Sequence, residues 1–357
     1  MHLRVARGSC RIDVLQWPVI GTFLRWRHAR TAFQLVLLAI ALLVVLAALA
    51  LAAGRFPVTP GDLWSLATGK SVSPMVQTVL FQVRAPRILA ALLVGAALAA
   101  AGTAYQGMFR NPLVSPDILG VSTGAALGAV IGIFLSLDVI LVELLSFAGG
   151  LAAVGLVYGA GSRMRGHDPL LALVLTGVVI GTLLGSGIAL LKYLADPYNQ
   201  LPAITFWLLG SLASITPRDL AVAAPLALTG LVPMVLLRWR MNLLALPDDE
   251  ARALGIDTRR LRTIVVAAAT LMTASVVAVS GVIGWVGLLL PHAARLLVGP
   301  DFGRLLPLSM LLGAAFLLAV DTACRTMAAI EVPPGVVTAL IGTPLFLWLF
   351  ALSRRRW

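Results

Sequence analysis

The stretch TIVVAAATLMTASVVAVSGVIGWVGLLLPHAA (263–294) runs for 32 residues without an Asp, Glu, Lys or Arg. A helix needs roughly 20 apolar residues to cross about 30 Å of hydrocarbon. The run is therefore too long for one crossing, and Gly281, Gly284 and Gly287 interrupt it. It reads as two helices joined by a tight turn. Working outward, eight further uncharged windows appear at 31–54, 88–109, 118–137, 144–162, 169–191, 220–237, 305–320 and 332–353. Ten spans follow. Residues 197–217 are also uncharged, but Pro197, Asn199, Gln200, Pro202 and Pro217 leave an apolar core only from Ile204 to Ile215. That length suits a short re-entrant or interfacial helix and not a crossing.

Composition agrees. Of 357 residues, 60% are hydrophobic and 12% charged, and the mean hydropathy is +0.98. A soluble domain carries about 45–50% apolar and about 25% charged residues, so an ordinary soluble enzyme is excluded. The net charge of +12 would suggest nucleic acid in a soluble protein; here it reports topology. With both termini cytoplasmic, 20 of the 27 basic residues fall inside and seven outside: Arg55, Lys70, Arg84, Arg87, Lys192, Arg218 and Arg325. An eleventh span at 204–215 would put the block from Arg238 to Arg262 outside, against the positive-inside rule. The expected organisation is a basic cytoplasmic segment, residues 1–30, followed by one ten-span, all-α domain, residues 31–357. The first span resembles a signal peptide, but its apolar stretch is longer than the usual 7–15 residues, so it reads as an uncleaved anchor.

Glycines recur every four residues at 120, 124, 128 and 132, and again at 177, 181 and 185. Small residues at that spacing let helix backbones approach closely in lipid. The segment RNPLVSPD (110–117) has two prolines and reads as a structured turn before the third span.

Several chemistries are missing from the sequence. The two cysteines and four scattered histidines offer no metal-ligand spacing. Gly69-Lys70-Ser71 ends like a phosphate loop, but the first glycine of that motif would fall at Trp64. Ion-coupled carriers keep ionisable groups in mid-membrane. Here Asp321 stands in an apolar run with Arg325 four residues on, the spacing of a helical ion pair. A secondary ion-coupled transporter, the alternative class, thus finds little support, and an external motor is expected.

The one sizeable cytoplasmic loop is LLALPDDEARALGIDTRRLR (243–262). Pro247-Asp248-Asp249-Glu250 makes an acidic helix start, favourable at the positive end of the helix dipole. Gly255 is placed to end that helix, and Asp257 or Thr258 to cap the next. A short helix, a glycine and a second helix are what a membrane subunit needs to insert into a cleft of a motor protein.

With this loop in view the chain resembles the permeases of type II ABC importers, the family that takes up ferric siderophores, haem and vitamin B12. The resemblance rests on RAPRILAALLVGAALAAAG (84–102), QGMFRNPLVSPDILGVSTGAALGA (106–129), FWLLGSL (206–212), DDEARALGI (248–256), SGVIGWVGLLLPHAARLLVG (280–299), LLPLSMLLGA (305–314) and EVPPGVVTALIGTPLFLWLF (331–350). It implies a homodimeric permease in the cell (inner) membrane, with short periplasmic and cytoplasmic coupling helices. It implies two ATPase subunits that use ATP and Mg, no cofactor or metal held by this chain, a substrate-binding protein, surrounding lipid, and no nucleic acid. By position, Asp249, Glu250, Ala251, Arg252, Ala253, Leu254 and Gly255 match the ATPase-coupling segment. Arg84, Arg87 and Arg325 match arginines that dock the binding protein, and Asn111 and Leu113 match a cytoplasmic gate. A second gate precedes the family's fifth span, and Arg163 to Pro169 show no clear match to it. DPYNQLPAITFW (196–207) does not resemble the haem-permease version, so the reading leans to a ferric chelate, with vitamin B12, haem and molybdate open.

Overall fold

The computed structural model describes residues 17–54, 56–164, 168–328 and 330–353, and every regular element among them is helical. A long first helix, α1 (Trp17–Ala52), is followed by the short α2 (Pro60–Ala67). Next, α3 (Pro74–Thr78) runs through a π-helical turn at Val79–Arg84 into α4 (Ala85–Met108), forming one 35-residue helix. After a 3-10 turn at Pro116–Leu119 come α5 (Val121–Phe134), α6 (Val139–Gly161), α7 (Pro169–Leu194) and the ten-residue α8 (Gln200–Leu209). The chain continues with α9 (Pro217–Leu236), α10 (Arg238–Met241), α11 (Asp248–Ala253), α12 (Thr258–Ser280), α13 (Val286–Val298), α14 (Phe302–Thr326) and α15 (Pro334–Ser353).

The starts follow from the sequence. Asp138, Asp168, Asp257 and Asp301 stand before α6, α7, α12 and α14, and each carboxylate accepts a backbone N–H from the first turn. Thr59 and Thr216 form reciprocal capping boxes with Asp62 and Asp219.

At the centre lie α4, α12 and α14. In the most apolar window of the α3–α4 helix 78% of residues are buried, against 11% in α1, which flanks the bundle. Lipid supplies no hydrophobic drive between helices, so close backbone packing must hold them. A Cβ at Gly95 of α4 would sit 2.7 Å from the Gly313 carbonyl carbon of α14, and one at Gly313 would strike Gly95 in return. Gly124 and Gly128 likewise press α5 against the Gly149 and Leu145 carbonyls of α6.

Each of the ten expected spans coincides with a helix, and among the described residues eight helices are long and apolar enough to cross a membrane. The remaining two, α5 with 14 residues and α13 with 13, are only about 20 Å long at about 1.5 Å per residue. Both are cut short locally: Gly120 is left-handed before α5, and Gly281 and Trp285 have φ of 66° and 71° before α13. The fourth span begins at Val139 rather than 144, so Glu143 lies inside α6. The short helix expected over 204–215 lies earlier, at Gln200–Leu209, because Gly210, with φ of 72°, stops it. Of the basic segment, residues 1–16 lie outside the described residues, as do Arg55 and Arg354 to Arg356, and 165–167 of the stretch left unassigned before the fifth span.

Candidate functional site

The α9–α12 connection defines what is here called the inner end. Asp248, Asp249 and Glu250 fill the first turn of α11, where the helix dipole favours carboxylates. The helix closes in a Schellman motif: the Gly255 N–H donates to the Arg252 carbonyl at 2.9 Å and the Ile256 N–H to Ala251 at 3.1 Å. Gly255 adopts φ of 80°, which glycine tolerates and other residues resist. Ala251 faces inward; Asp249, Glu250, Arg252, Ala253, Leu254 and Gly255 are exposed, Leu254 to 62%. The segment is thus a knob with one buried anchor.

Arg262 of α12 holds it in place. Its guanidinium grips the Asp248 carboxylate at two points, 2.9 and 2.6 Å. These hydrogen bonds, with the charges of Arg262, Arg110 and Arg252 behind them, keep the Asp248 carboxyl below its usual range. The influence of Arg110 also places the 110–117 turn at this same end. There the Leu113 N–H donates to Asn111 Oδ1 at 2.9 Å, Arg110 is left-handed, and Asn111 and Leu113 are exposed. The segment Asp249 to Gly255 and the pair Asn111 and Leu113 therefore share one end of the molecule. Asp248 and Arg262 escaped the sequence reading because nothing in a 14-residue separation marks a pair.

At the other, outer end, Arg84, Arg87 and Arg325 come together, but facing inward: they are 3%, 6% and 6% exposed. Arg84 donates to the carbonyls of Leu51, Ala52 and Phe56 at 2.5, 3.1 and 2.6 Å, and Arg325 to Ala50 at 2.5 Å. Those carbonyls belong to the last turn of α1 and the chain just beyond it, where helix carbonyls lack partners. Arg87 binds Asp321 through Nε at 2.9 Å and Glu331 through Nη1 at 3.0 Å. The expected Asp321–Arg325 pair is present at 3.9 Å and is the looser contact. Among the described residues the exposed cations near this end are Lys70 and Arg218.

Beside this network lies a cavity of about 700 Å³ between the outer ends of α5, α6, α8, α12 and α15. Glu143, Glu331, Gln200, Trp207 and Ser280 are among its walls, and no Lys or Arg among the described residues is. The Ser211 N–H donates to the Ser280 carbonyl at 2.8 Å, tying the segment after α8 to the outer end of α12. Glu143 was hidden from the sequence reading because it was used as a span boundary.

An all-helical bundle of membrane length, with a short anchored helix thrust out at one end and a cavity at the other, is a membrane permease subunit. The comparisons narrow this: the profile of the FecCD transport family matches residues 30–351, and the chain belongs to that family. It is 41% identical to the molybdate import permease MolB of Haemophilus influenzae over 85% of this chain and 91% of that one. It is 40% identical to the cobalamin import permease BtuC of Halobacterium salinarum, covering 82% and 81%. To the hemin permease HmuU of Yersinia pestis the identity is 37%, covering 88% and 94%. A solved inward-facing, metal-chelate type ABC transporter matches with a TM-score of 0.82 and 38% identity, over 89% of this chain and 99% of that one. The protein is an integral membrane permease of the ABC importer kind and not itself the ATPase; such permeases work with ATPases and substrate-binding proteins.

Proposed function

We propose that the chain is the membrane subunit of an ATP-driven importer that carries a ferric chelate, foremost a ferric siderophore, across the cell (inner) membrane by alternating access. The observation that carries this reading is α11: an acidic, glycine-stopped helix, exposed except at Ala251 and the half-buried Asp248, and strapped by Arg262 to a helix that enters the bundle. A self-contained carrier has no use for such a knob. In this reading Asp249 to Gly255 seat in one of two ATPase subunits, which bind ATP and Mg, while this chain holds no cofactor or metal. A second copy completes the pathway, and the open face of α7 supports that role, since a Cβ at Gly181 or Gly185 would meet nothing within 4 Å. Asn111 and Leu113 form the inner gate. Both termini lie on the ATPase side, with residues 1–30 a basic inner segment and 31–357 one ten-span unit.

The binding protein docks at the outer end, with Arg84, Arg87 and Arg325 its contacts by position. Their enclosure adds a condition: Arg87 must release Glu331, the more exposed of its two partners. For the cargo, a cavity of about 700 Å³ walled by two carboxylates and no cation suits a bulky neutral or cationic chelate better than a small oxyanion.

The test is reconstitution with the cognate ATPase and binding protein. Gly255→Pro cannot adopt φ of 80° and loses the N–H given to Arg252. It should abolish ATP-driven uptake while the chain still folds. Uptake by the chain alone under an ion gradient would establish the secondary-carrier reading instead; loaded binding protein carrying molybdate, vitamin B12 or haem would replace the ferric chelate.

A further inference from the structure

Beside the knob, at the inner ends of α9 and α12, is a cleft of about 400 Å³, of whose walls the transport reading uses Gly255 alone. Its walls include Leu237, Arg240, Asp257, Arg260, Leu261 and Ile264. Arg240 and Arg260 are both exposed, and neither guanidinium has a hydrogen-bond or ion-pair partner among the described residues. The one carboxylate, Asp257, is occupied as the cap of α12, accepting the Arg260 backbone N–H at 2.9 Å. Two uncommitted cations against one committed anion leave the cleft suited to a monoanionic phosphate.

Its surroundings choose the source of that phosphate. The cleft sits where α9 and α12, both long enough to cross the membrane, end at the same side. Below it Leu228, Val232 and Leu236 form an i, i+4, i+8 track on α9, exposed to 49%, 52% and 73%, and Ile264 of α12 is 36% exposed. Beside it Trp239 is 64% exposed, with the Arg238 guanidinium 5.5 Å from its ring centre. Exposed tryptophan and arginine above an apolar track mark a membrane interface.

We infer that this cleft binds the phosphodiester headgroup of an anionic phospholipid of the inner leaflet, with Arg240 and Arg260 on the phosphate and an acyl chain along Leu228, Val232 and Leu236. Gly255 and Ile256 also line the cleft, so the lipid sits against the hinge between α11 and α12.

The full-length chain in detergent, titrated with palmitoyl-oleoyl phosphatidylglycerol or phosphatidylcholine and read by native mass spectrometry, tests this. Wild type should retain phosphatidylglycerol in preference. Arg240→Gln with Arg260→Gln should weaken that retention about thirtyfold, at about fivefold per arginine near an anionic surface. Lys70→Gln with Arg218→Gln, which removes the same charge at the outer end, should leave it unchanged, and Arg240→Lys with Arg260→Lys should keep most of it. Matching unfolding temperatures of all variants in phosphatidylcholine micelles check the fold. Equal retention by wild type and the Gln pair overturns the site. Displacement of the lipid by millimolar inorganic phosphate or glycerol phosphate overturns its assignment to lipid.

Discussion

Asp321 shows what single residues decide here. Its carboxylate is fully buried beside two guanidiniums, and Cys324 next to it is 1% exposed. Removing one partner of a buried pair leaves an uncompensated charge, at a cost of about 3–5 kcal/mol. In a Cys10→Ser background, Asp321→Ala should therefore lower the unfolding temperature and speed labelling of Cys324 by a thiol probe. Glu331→Gln, at the rim of the same network, should do so far less. Unchanged labelling of Asp321→Ala would mean that this network does not close the outer end. The sequence revealed only the weaker half of it. Asp321 and Arg325 sit four apart on one helix, a spacing that can be read directly, whereas Arg87 lies 234 residues from Asp321 and 244 from Glu331. The charge count groups Arg84, Arg87 and Arg325 on one side; that they turn inward, Arg84 and Arg325 onto the end of α1 and Arg87 onto Asp321 and Glu331, is not legible there, because it depends on where α1 finishes and on contacts distant in sequence.

Among elements, the glycine-rich helices divide by what their glycines meet. Gly95 touches the backbone of Gly313, while Gly181 meets nothing within 4 Å. Overpacking costs typically about 1–3 kcal/mol, so Gly95→Leu should destabilise the isolated chain in a thermal unfolding assay. Gly181→Leu should leave that melt unchanged and reduce the dimer fraction measured by light scattering; a normal dimer would remove α7 from the proposed interface. Spacing alone could not show that Gly124 and Gly128 of one stripe meet α6 while Gly181 and Gly185 of the other meet nothing within 4 Å, since a repeat of four does not say what the glycines face. The coupling loop was far more legible. The stop and the cap are local requirements: Gly255 ends α11 as the sequence indicated, and of the two candidate caps, Asp257 and Thr258, the structure uses Asp257.

For the molecule as a whole, the strap between Asp248 and Arg262 sets a pH range. Because Arg262 lowers the Asp248 pKa from its ordinary value of 3.8, its stabilisation is complete above that value and is lost only as pH falls through the lower, folded one. Titration of this pair should thus leave ATP-driven uptake unaffected between about pH 5 and 8, and Asp248→Asn should reduce uptake equally across that range. A reduction confined to the acid side would contradict the assignment. Charge alone divides the molecule into two ends in the sequence, since a membrane sorts basic residues by side; the cavity is not legible there, since it forms only where five helices converge. One feature joins these ends. The α12 helix starts at the residue after Asp257, is clamped to the knob by Arg262, and runs unbroken for 23 residues to Ser280, which holds Ser211 and faces the cavity. At about 1.5 Å per residue that is a stiff strut about 34 Å long. A shove delivered to α11 need not percolate through side chains to reach the far side: it travels along a single rod, with a handle at one end and the chamber wall at the other.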